Sequence, residues 1–235
     1  MENLPLLCEF LENNGYSAQN YADKFSRYFE LLVEWNEKFN LTAITDREGV
    51  ETKHFIDSLL GNVILKNINV KSVCDIGCGA GFPSIPLAII NPDINFTLVD
   101  SVNKKITFIE ELKRQLALDN VECFHSRAED FARINFQKFD CCVARAVAAL
   151  PTLAEYTLPL VKKGGYLLAY KGINYQEELK NSQKILCILN SNTDNIYESS
   201  LPDDEKRYIL AIKKSGDCPK KYPRGGNKPR TSPII

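Results

Sequence analysis

The sequence predicts an α/β protein with a mostly parallel twisted sheet, an antiparallel last strand and a helical N-terminal extension. Three observations carry this. Apolar strand-like runs alternate with helical segments from about residue 72 to residue 190, and such alternation builds a parallel sheet covered on both faces. Lys71 to Leu87 (K-S-V-C-D-I-G-C-G-A-G-F-P-S-I-P-L) reads as buried strand, glycine turn and helix start. Two strand-like runs near 195–201 and 206–213, joined by the polar turn P-D-D-E-K, read as an antiparallel hairpin at the sheet edge.

The first seventy residues are helical in pattern. Tyr21, Phe25, Tyr28, Phe29, Leu32 and Phe39 recur at helical spacing, with Lys24, Arg27, Glu34 and Glu37 between them; such a stripe packs on a core. Thr45 followed by Glu48 fits a capping box that opens another helix. That helix carries K-H-F-I-D-S-L-L-G, and His54, Asp57 and Ser58 share one face at i, i+3 and i+4. There they either line a substrate mouth or crosslink neighbouring helices. Gly61 is the expected stop, and the helical region is assigned to residues 1–66.

The core follows over 67–214. Ser72 to Ile76 forms the first strand, and Gly77, Gly79 and Gly81 let the backbone turn and approach a ligand with no Cβ in the way. Pro83 suits a first helical position, where its missing N–H is not needed. Further strands are expected at 95–100, 121–125, 139–144 and 165–171, with helices at about 103–118, 150–161 and 175–190. Residues 215–235 are expected to form a basic, extended arm.

Strand, glycine turn and helix start make a nucleotide-like site, and the acids decide which. A dinucleotide loop wants G-x-G-x-x-G, whereas the spacing here is G-x-G-x-G followed by Phe82 and Pro83. Asp75, two residues before the first glycine, is placed to reach a ligand amine. Asp100 ends the next strand, 23 residues after Gly77, where an acid binds ribose hydroxyls. An amine-seeking acid, a glycine turn and a ribose acid suit S-adenosylmethionine better than NAD.

Composition narrows the class further. The 235 residues are 44% hydrophobic and 25% charged, with a net charge of -1, as is ordinary for a globular protein. No apolar run approaches the ~18 to 20 residues that span a bilayer, and the N-terminus lacks a basic start and apolar core, so a cytoplasmic protein without membrane association is expected. The eight cysteines are scattered at 8, 74, 78, 123, 141, 142, 187 and 218. Without a zinc spacing or a secretion signal, neither a metal site nor a disulfide framework is expected. Cys141 and Cys142 read as buried strand, since no activating base accompanies them, and Cys78 as partly exposed.

Ligands of open α/β sheets lie beyond the carboxyl ends of the strands. The third strand leads into S-R-A-E, turning Arg127, Ala128 and Glu129 toward the cofactor. The fourth ends at Arg145 and the fifth at Lys171, while Lys104 starts the helix after the ribose acid. Four cations at one sheet edge attract phosphate and polarise an acceptor base. The Asn/Asp-Pro-Pro-aromatic run common in methylation of exocyclic base amines is missing, and A-R-A-V stands in its place. Guanine N7 has a lone pair and no proton, so transfer to it needs no general base. The tail adds seven Lys or Arg between Lys213 and Arg230 against one acid, Asp217, a composition that binds a nucleic-acid backbone through counterion release or simply solubilises the chain.

Seven segments, W-N-E-K-F-N-L-T (35–42), K-H-F-I-D-S-L (53–59), D-I-G-C-G-A-G-F-P-S-I-P-L-A-I (75–89), L-V-D-S-V-N-K-K (98–105), S-R-A-E (126–129), A-R-A-V-A (144–148) and K-K-Y-P-R (220–224), spread over nearly the whole chain. Together they resemble the ribosomal small subunit methyltransferase G family, also called glucose-inhibited division protein B. The resemblance implies a Rossmann-like, S-adenosylmethionine-dependent methyltransferase fold. It further implies an enzyme that makes 7-methylguanosine in the 530 loop of 16S ribosomal RNA, acting on RNA or the small ribosomal subunit; the residue pattern itself demands no more than a monomer. Carried over, the cofactor contacts are Gly77, Phe82, Ala128, Glu129 and Arg145, beside Asp75, Gly79 and Asp100 from the reading of the loop. His54, Lys104, Arg127 and Lys171 match polar residues around the family's site. Cys78 departs from a usual Ser, Ala or Thr. Asn227 departs from a usual Gly, and Thr231 from a usual Lys whose charge Arg230 replaces. Two alternatives differ in class. A small-molecule methyltransferase would not need the basic arm, and a non-catalytic nucleotide-binding RNA module would bind cofactor without transferring methyl.

Overall fold

The computed structural model describes residues 4–235, so residues 1–3 of the expected N-terminal region lie outside it. Helices α1 (Pro5–Asn13), α2 (Ala22–Phe39) and α3 (Arg47–Val50) come first. A π-helical turn (Glu51–Ile56) then runs into α4 (Asp57–Leu59), and α5 (Asn62–Asn67) follows. Next are β1 (Ser72–Ile76), α6 (Ser84–Ile90), β2 (Asn95–Asp100), α7 (Asn103–Gln115), β3 (Val121–His125), α8 (Ala128–Ile134) and β4 (Phe139–Arg145). The chain continues through α9 (Leu150–Thr157), β5 (Val161–Lys171), α10 (Tyr175–Ile188), β6 (Ser191–Ser200), β7 (Lys206–Lys214) and α11 (Lys228–Thr231).

Among the described residues the seven strands are ordered β3-β2-β1-β4-β5-β7-β6, and only β7 runs against its neighbours. Strand order reverses between β1 and β4, which opens a crevice beyond their carboxyl ends. Period-two alternation gives each strand two apolar faces. Val73, Cys141 and Val143 pack under the N-terminal helices, α6 and α7, while Cys74, Ile76, Cys142 and Ala144 pack under α8, α9 and α10.

The N-terminal helices are fixed to the glycine loop by an aromatic cluster. Tyr28 stacks on Phe82 with ring centroids 5.3 Å apart, and its hydroxyl donates to the Ala80 carbonyl at 2.6 Å. Such aromatic pairs add roughly 0.5–1.5 kcal/mol beyond their burial. Gly81 makes the approach possible: its φ is +101°, and a Cβ there would lie 2.8 Å from the Tyr28 hydroxyl.

Several boundaries differ from expectation. Asp46, not Thr45, caps α3, its carboxylate accepting from Gly49 N at 2.8 Å. Pro83 is the residue before α6 rather than its first member. Helix α7 stops at Gln115, because Ala117 turns to φ +48°. Helix α9 ends at Thr157 and β5 already begins at Val161. Helix α8, absent from the expected pattern, spans seven residues, too few to display a helical period. The described cysteines are all free, and Cys78 is buried rather than partly exposed. No helix among the described residues is long and apolar enough to cross a membrane.

The tail is the largest departure. Instead of an extended arm it folds back along α9, with Cys218 and Tyr222 buried. Arg224 grips the buried Glu155 with two side-chain bonds of 2.8 and 2.7 Å, and its backbone N–H adds a third at 2.9 Å. Thr152 donates to the Pro229 carbonyl at 2.8 Å. A charge-assisted, bidentate pair with a buried partner holds a segment far more firmly than an exposed one.

Candidate active site

Two cavities lie at the carboxyl edge of the sheet and share the loop Ala146–Ala148 as a wall. The first, about 570 Å³, is bounded by Gly77, by Asp100 and the two residues after it, and by Ser126–Glu129. Gly77 has φ +75°, and a Cβ there would meet Val147 Cγ2 at 2.9 Å, so only glycine lets the strand end come this close to the shared wall. Asp100 Oδ2 accepts from Gly79 N at 3.0 Å and Oδ1 from Val102 N at 2.9 Å. An ionised carboxylate has about four acceptor positions, so Asp100 fastens the glycine loop and still offers lone pairs to the cavity.

The second cavity, about 740 Å³, is lined by cations that are already paired. Arg145 Nη1 donates to Asp57 Oδ2 at 2.6 Å and to the Lys53 carbonyl at 2.9 Å. Arg207 Nε approaches the other Asp57 oxygen at 3.2 Å. Lys171 donates to the Ala148 carbonyl at 2.9 Å and to Glu178 at 2.7 Å, while Glu178 also accepts from Leu150 N at 2.7 Å. Lys171 therefore holds the shared wall in place.

His54 joins this network without carrying charge. Its Nε2 is 2.8 Å from Thr42 Oγ1 and its Nδ1 3.0 Å from the Lys53 carbonyl, and its ring stacks on Phe82 at 4.4 Å. Burial, and next the Arg145 guanidinium, push its pKa down to about 4. Asp57 and Ser58 are buried, so the polar triple of that helix crosslinks elements as well as facing a cavity.

The structure brings Gly77, Asp100, Arg127, Ala128 and Glu129 together around the first cavity, and His54, Arg145 and Lys171 around the second. Asp75 reaches neither. It shares the face of Val73, beneath the N-terminal helices, and is 1% exposed. Neither carboxylate oxygen has a hydrogen-bond partner among the described residues. Burial pushes its pKa up to about 7, and neighbouring Ser84 and then the Arg145 guanidinium temper the rise. Strand parity thus places Asp75 on the face under the N-terminal helices and outside both cavity linings.

Gly79 lies behind Asp100, bonded to it and outside the cavity lining. Phe82 is buried and also outside both linings; it serves as a platform under His54 and under Arg145, whose guanidinium lies 5.1 Å from its centroid. Lys104 is exposed and lines neither cavity. Its neighbour Lys105 faces the first cavity instead, with Nζ 3.7 Å from Asp100.

Sequence reasoning missed Lys105, Tyr156, Asn227, Arg230 and Arg207 as cavity residues. Arg207 was within reach of a simple rule. An antiparallel strand starts where parallel strands end, and Tyr208 pairs with Lys171. The first cavity suits a nucleoside, with an acid for hydroxyls and backbone edges for a base; the second offers fixed positive charge and no free base. Among the described residues, no group of three or more His, Cys, Asp or Glu could hold a metal ion.

Comparison with known proteins agrees with this geometry. The model of the GidB family, rRNA small subunit methyltransferase G, matches residues 21–207. The chain is 46% identical over 230 residues to ribosomal RNA small subunit methyltransferase G of Lysinibacillus sphaericus, covering 96% of this chain and 97% of that one. It is 44% identical to the protein of the same name from Macrococcus caseolyticus, over 97% of each. In fold it is similar to an O-methyltransferase from Bacillus cereus crystallised with S-adenosylhomocysteine, with a TM-score of 0.59, 14% identity and coverage of 80% and 91%. It is similar too to the O-methyltransferase TomG from Streptomyces achromogenes, solved with S-adenosylmethionine, with a TM-score of 0.56, 14% identity and coverage of 80% and 88%.

Proposed function

Because this chain belongs to the rRNA small subunit methyltransferase G family, we propose that it methylates N7 of a guanine in the 530 loop of 16S ribosomal RNA. S-adenosylmethionine, held in the first cavity, supplies an electrophilic methyl carbon. The observation that carries this reading is the shared wall: a nucleoside-type cavity and a cation-lined cavity meet at Ala146–Ala148.

Each residue then has work to do. Asp100 takes the ribose hydroxyls, Gly77 admits the cofactor to the wall, and Ala128 and Glu129 face its base. Arg127 and Lys105 set the potential around them. In the second cavity Arg145 and Arg207, tied through Asp57, give a fixed positive surround for a guanine and its phosphate. Lys171 holds the wall through Ala148 and Glu178. Preorganised charges of this kind need no rearrangement as the acceptor reacts, and orientation supplies much of the remaining acceleration.

The absence of a free base fits ring N7, which has no proton to remove. His54 stays neutral down to pH about 4 and is engaged by Thr42, so it shapes the cavity rather than accepting a proton. On this reading the chain acts as a monomer in the cytoplasm, where ribosomal subunits are built. The test is methyl transfer from labelled S-adenosylmethionine to small subunits lacking the modification, with mass spectrometry of the nucleosides. Label in 7-methylguanosine from the 530 loop is expected. Label in another nucleoside, or none in RNA, would overturn the reading.

A further inference from the structure

The folded tail meets the first cavity, and its charge alone does not explain why. Asn227 and Arg230 both line that cavity beside Tyr156. Tyr156 Oη and Asn227 Oδ1 are 3.5 Å apart. Asn227 is in the left-handed region at φ +60°, a conformation that Asn tolerates better than most residues. That residue sets the turn into α11 and so the placement of Arg230.

The anchoring is all on the α9 side. Glu155, 1% exposed in its side chain, is held by Arg224, and Arg224 Nη2 also donates to the Ser232 carbonyl at 2.9 Å. The Arg224 guanidinium thus clamps both ends of the turn that carries Asn227 and Arg230. Pro229 is buried and accepts from Thr152. Lys220, Lys221 and Lys228 face solvent on the same segment. A purely RNA-binding arm would need those lysines, but not a buried latch.

From this we infer that the C-terminal segment 218–232 is part of the cofactor site, with Asn227 and Arg230 as binding residues for the nucleoside end of the cofactor and Arg224–Glu155 as the latch that positions them. A guanidinium stacks on planar rings and a carboxamide pairs with ring edges, so the pair suits an adenine. Arg230 also faces the same space as Glu129 and Arg127. The inference rests on the reading that the cofactor occupies the first cavity.

The test is calorimetric binding of S-adenosylhomocysteine to the full chain, to Arg230→Ala, to Lys220→Ala/Lys221→Ala, and to a chain ending at residue 216. Arg230→Ala should weaken binding by about tenfold, the size of one charged contact, and the shortened chain by at least that much. The double lysine variant should bind like the full chain. A second readout is tryptic cleavage after Arg224 and Arg230, which S-adenosylhomocysteine should slow by reciprocal coupling. If the shortened chain fails to fold, Arg230→Ala decides, since Arg230 is exposed and its loss spares the core. Unchanged affinity in Arg230→Ala, with unprotected cleavage, would overturn the inference. Failure of the full chain to bind S-adenosylhomocysteine would instead remove the reading of the first cavity.

Discussion

The two cavities are built on opposite principles. The first keeps acceptor capacity in reserve, because Asp100 uses its bonds on the glycine loop and its own turn yet has lone pairs left. In the second, the main cations are already paired: Arg145 with Asp57, Lys171 with Glu178, and Lys53 with Asp203 and Glu205. One is a receptacle and the other a braced electrostatic frame. On the proposed function, the contrast sets unspent hydrogen-bonding groups against the cofactor and a field fixed in advance against the acceptor.

Breaking the frame should have the largest effect. Arg145→Ala removes the partner of Asp57, which is 5% exposed in its side chain, and leaves a buried carboxylate with only Arg207. Methyl transfer should fall by about 100-fold or more. Stability should drop by roughly 3 kcal/mol, the scale for orphaning a buried charge, as read by urea unfolding. Breaking the receptacle comes next. Asp100→Asn cannot accept from both Gly79 N and Val102 N through oxygen, and S-adenosylhomocysteine affinity should fall about 30-fold with the fold retained.

A pH experiment separates two displaced groups, His54 in the second cavity and Asp75 on strand β1. His54 is lowered from 6.5 to about 4, so the unfolded chain binds the extra proton and stability falls as pH drops from 6.5 toward 4. Asp75 is raised from 3.8 to about 7, so the native chain binds the extra proton and stability is lost as pH rises from 3.8 through 7. Between pH 4 and 6.5 the two contributions oppose each other. Relative to the native chain, Asp75→Asn should lose about 1.4 kcal/mol per pH unit of acidification there. His54→Gln should gain a similar amount, and parallel profiles would contradict both placements. The smallest effect belongs to Cys78, which is 1% exposed. Cys78→Ala should cost about 1 kcal/mol and leave cofactor affinity within about twofold, the expected scale for losing one small buried group away from the ligand.

What the sequence disclosed, and what it hid, follows from length and phase. β1, β2 and β3 could be read to the residue because they are short strand-like runs ended by Gly, Asp or His, β1 buried and the edge strand β3 largely exposed. Helix α8 escaped because seven residues do not show a period. Asp75 was read by distance from the glycines, whereas its parity with Val73 decides which face it occupies. Lys104 and Lys105 differ only in helical phase, and adjacent residues on a helix do not face the same way. In the tail, five cations following Lys213 and Lys214 of β7 drew attention away from Cys218, Tyr222, Pro223 and Pro229, the apolar residues that bury it.

The division of labour between the cavities is tested most directly by titrating S-adenosylhomocysteine into the free protein, Arg207→Gln and Asp100→Asn. The free protein should bind one equivalent with no RNA present. Arg207→Gln should keep that affinity within about threefold while losing methyl transfer, and Asp100→Asn should lose the affinity itself. Equal loss of cofactor affinity in both variants would mean that the two cavities act as one site, contradicting the account.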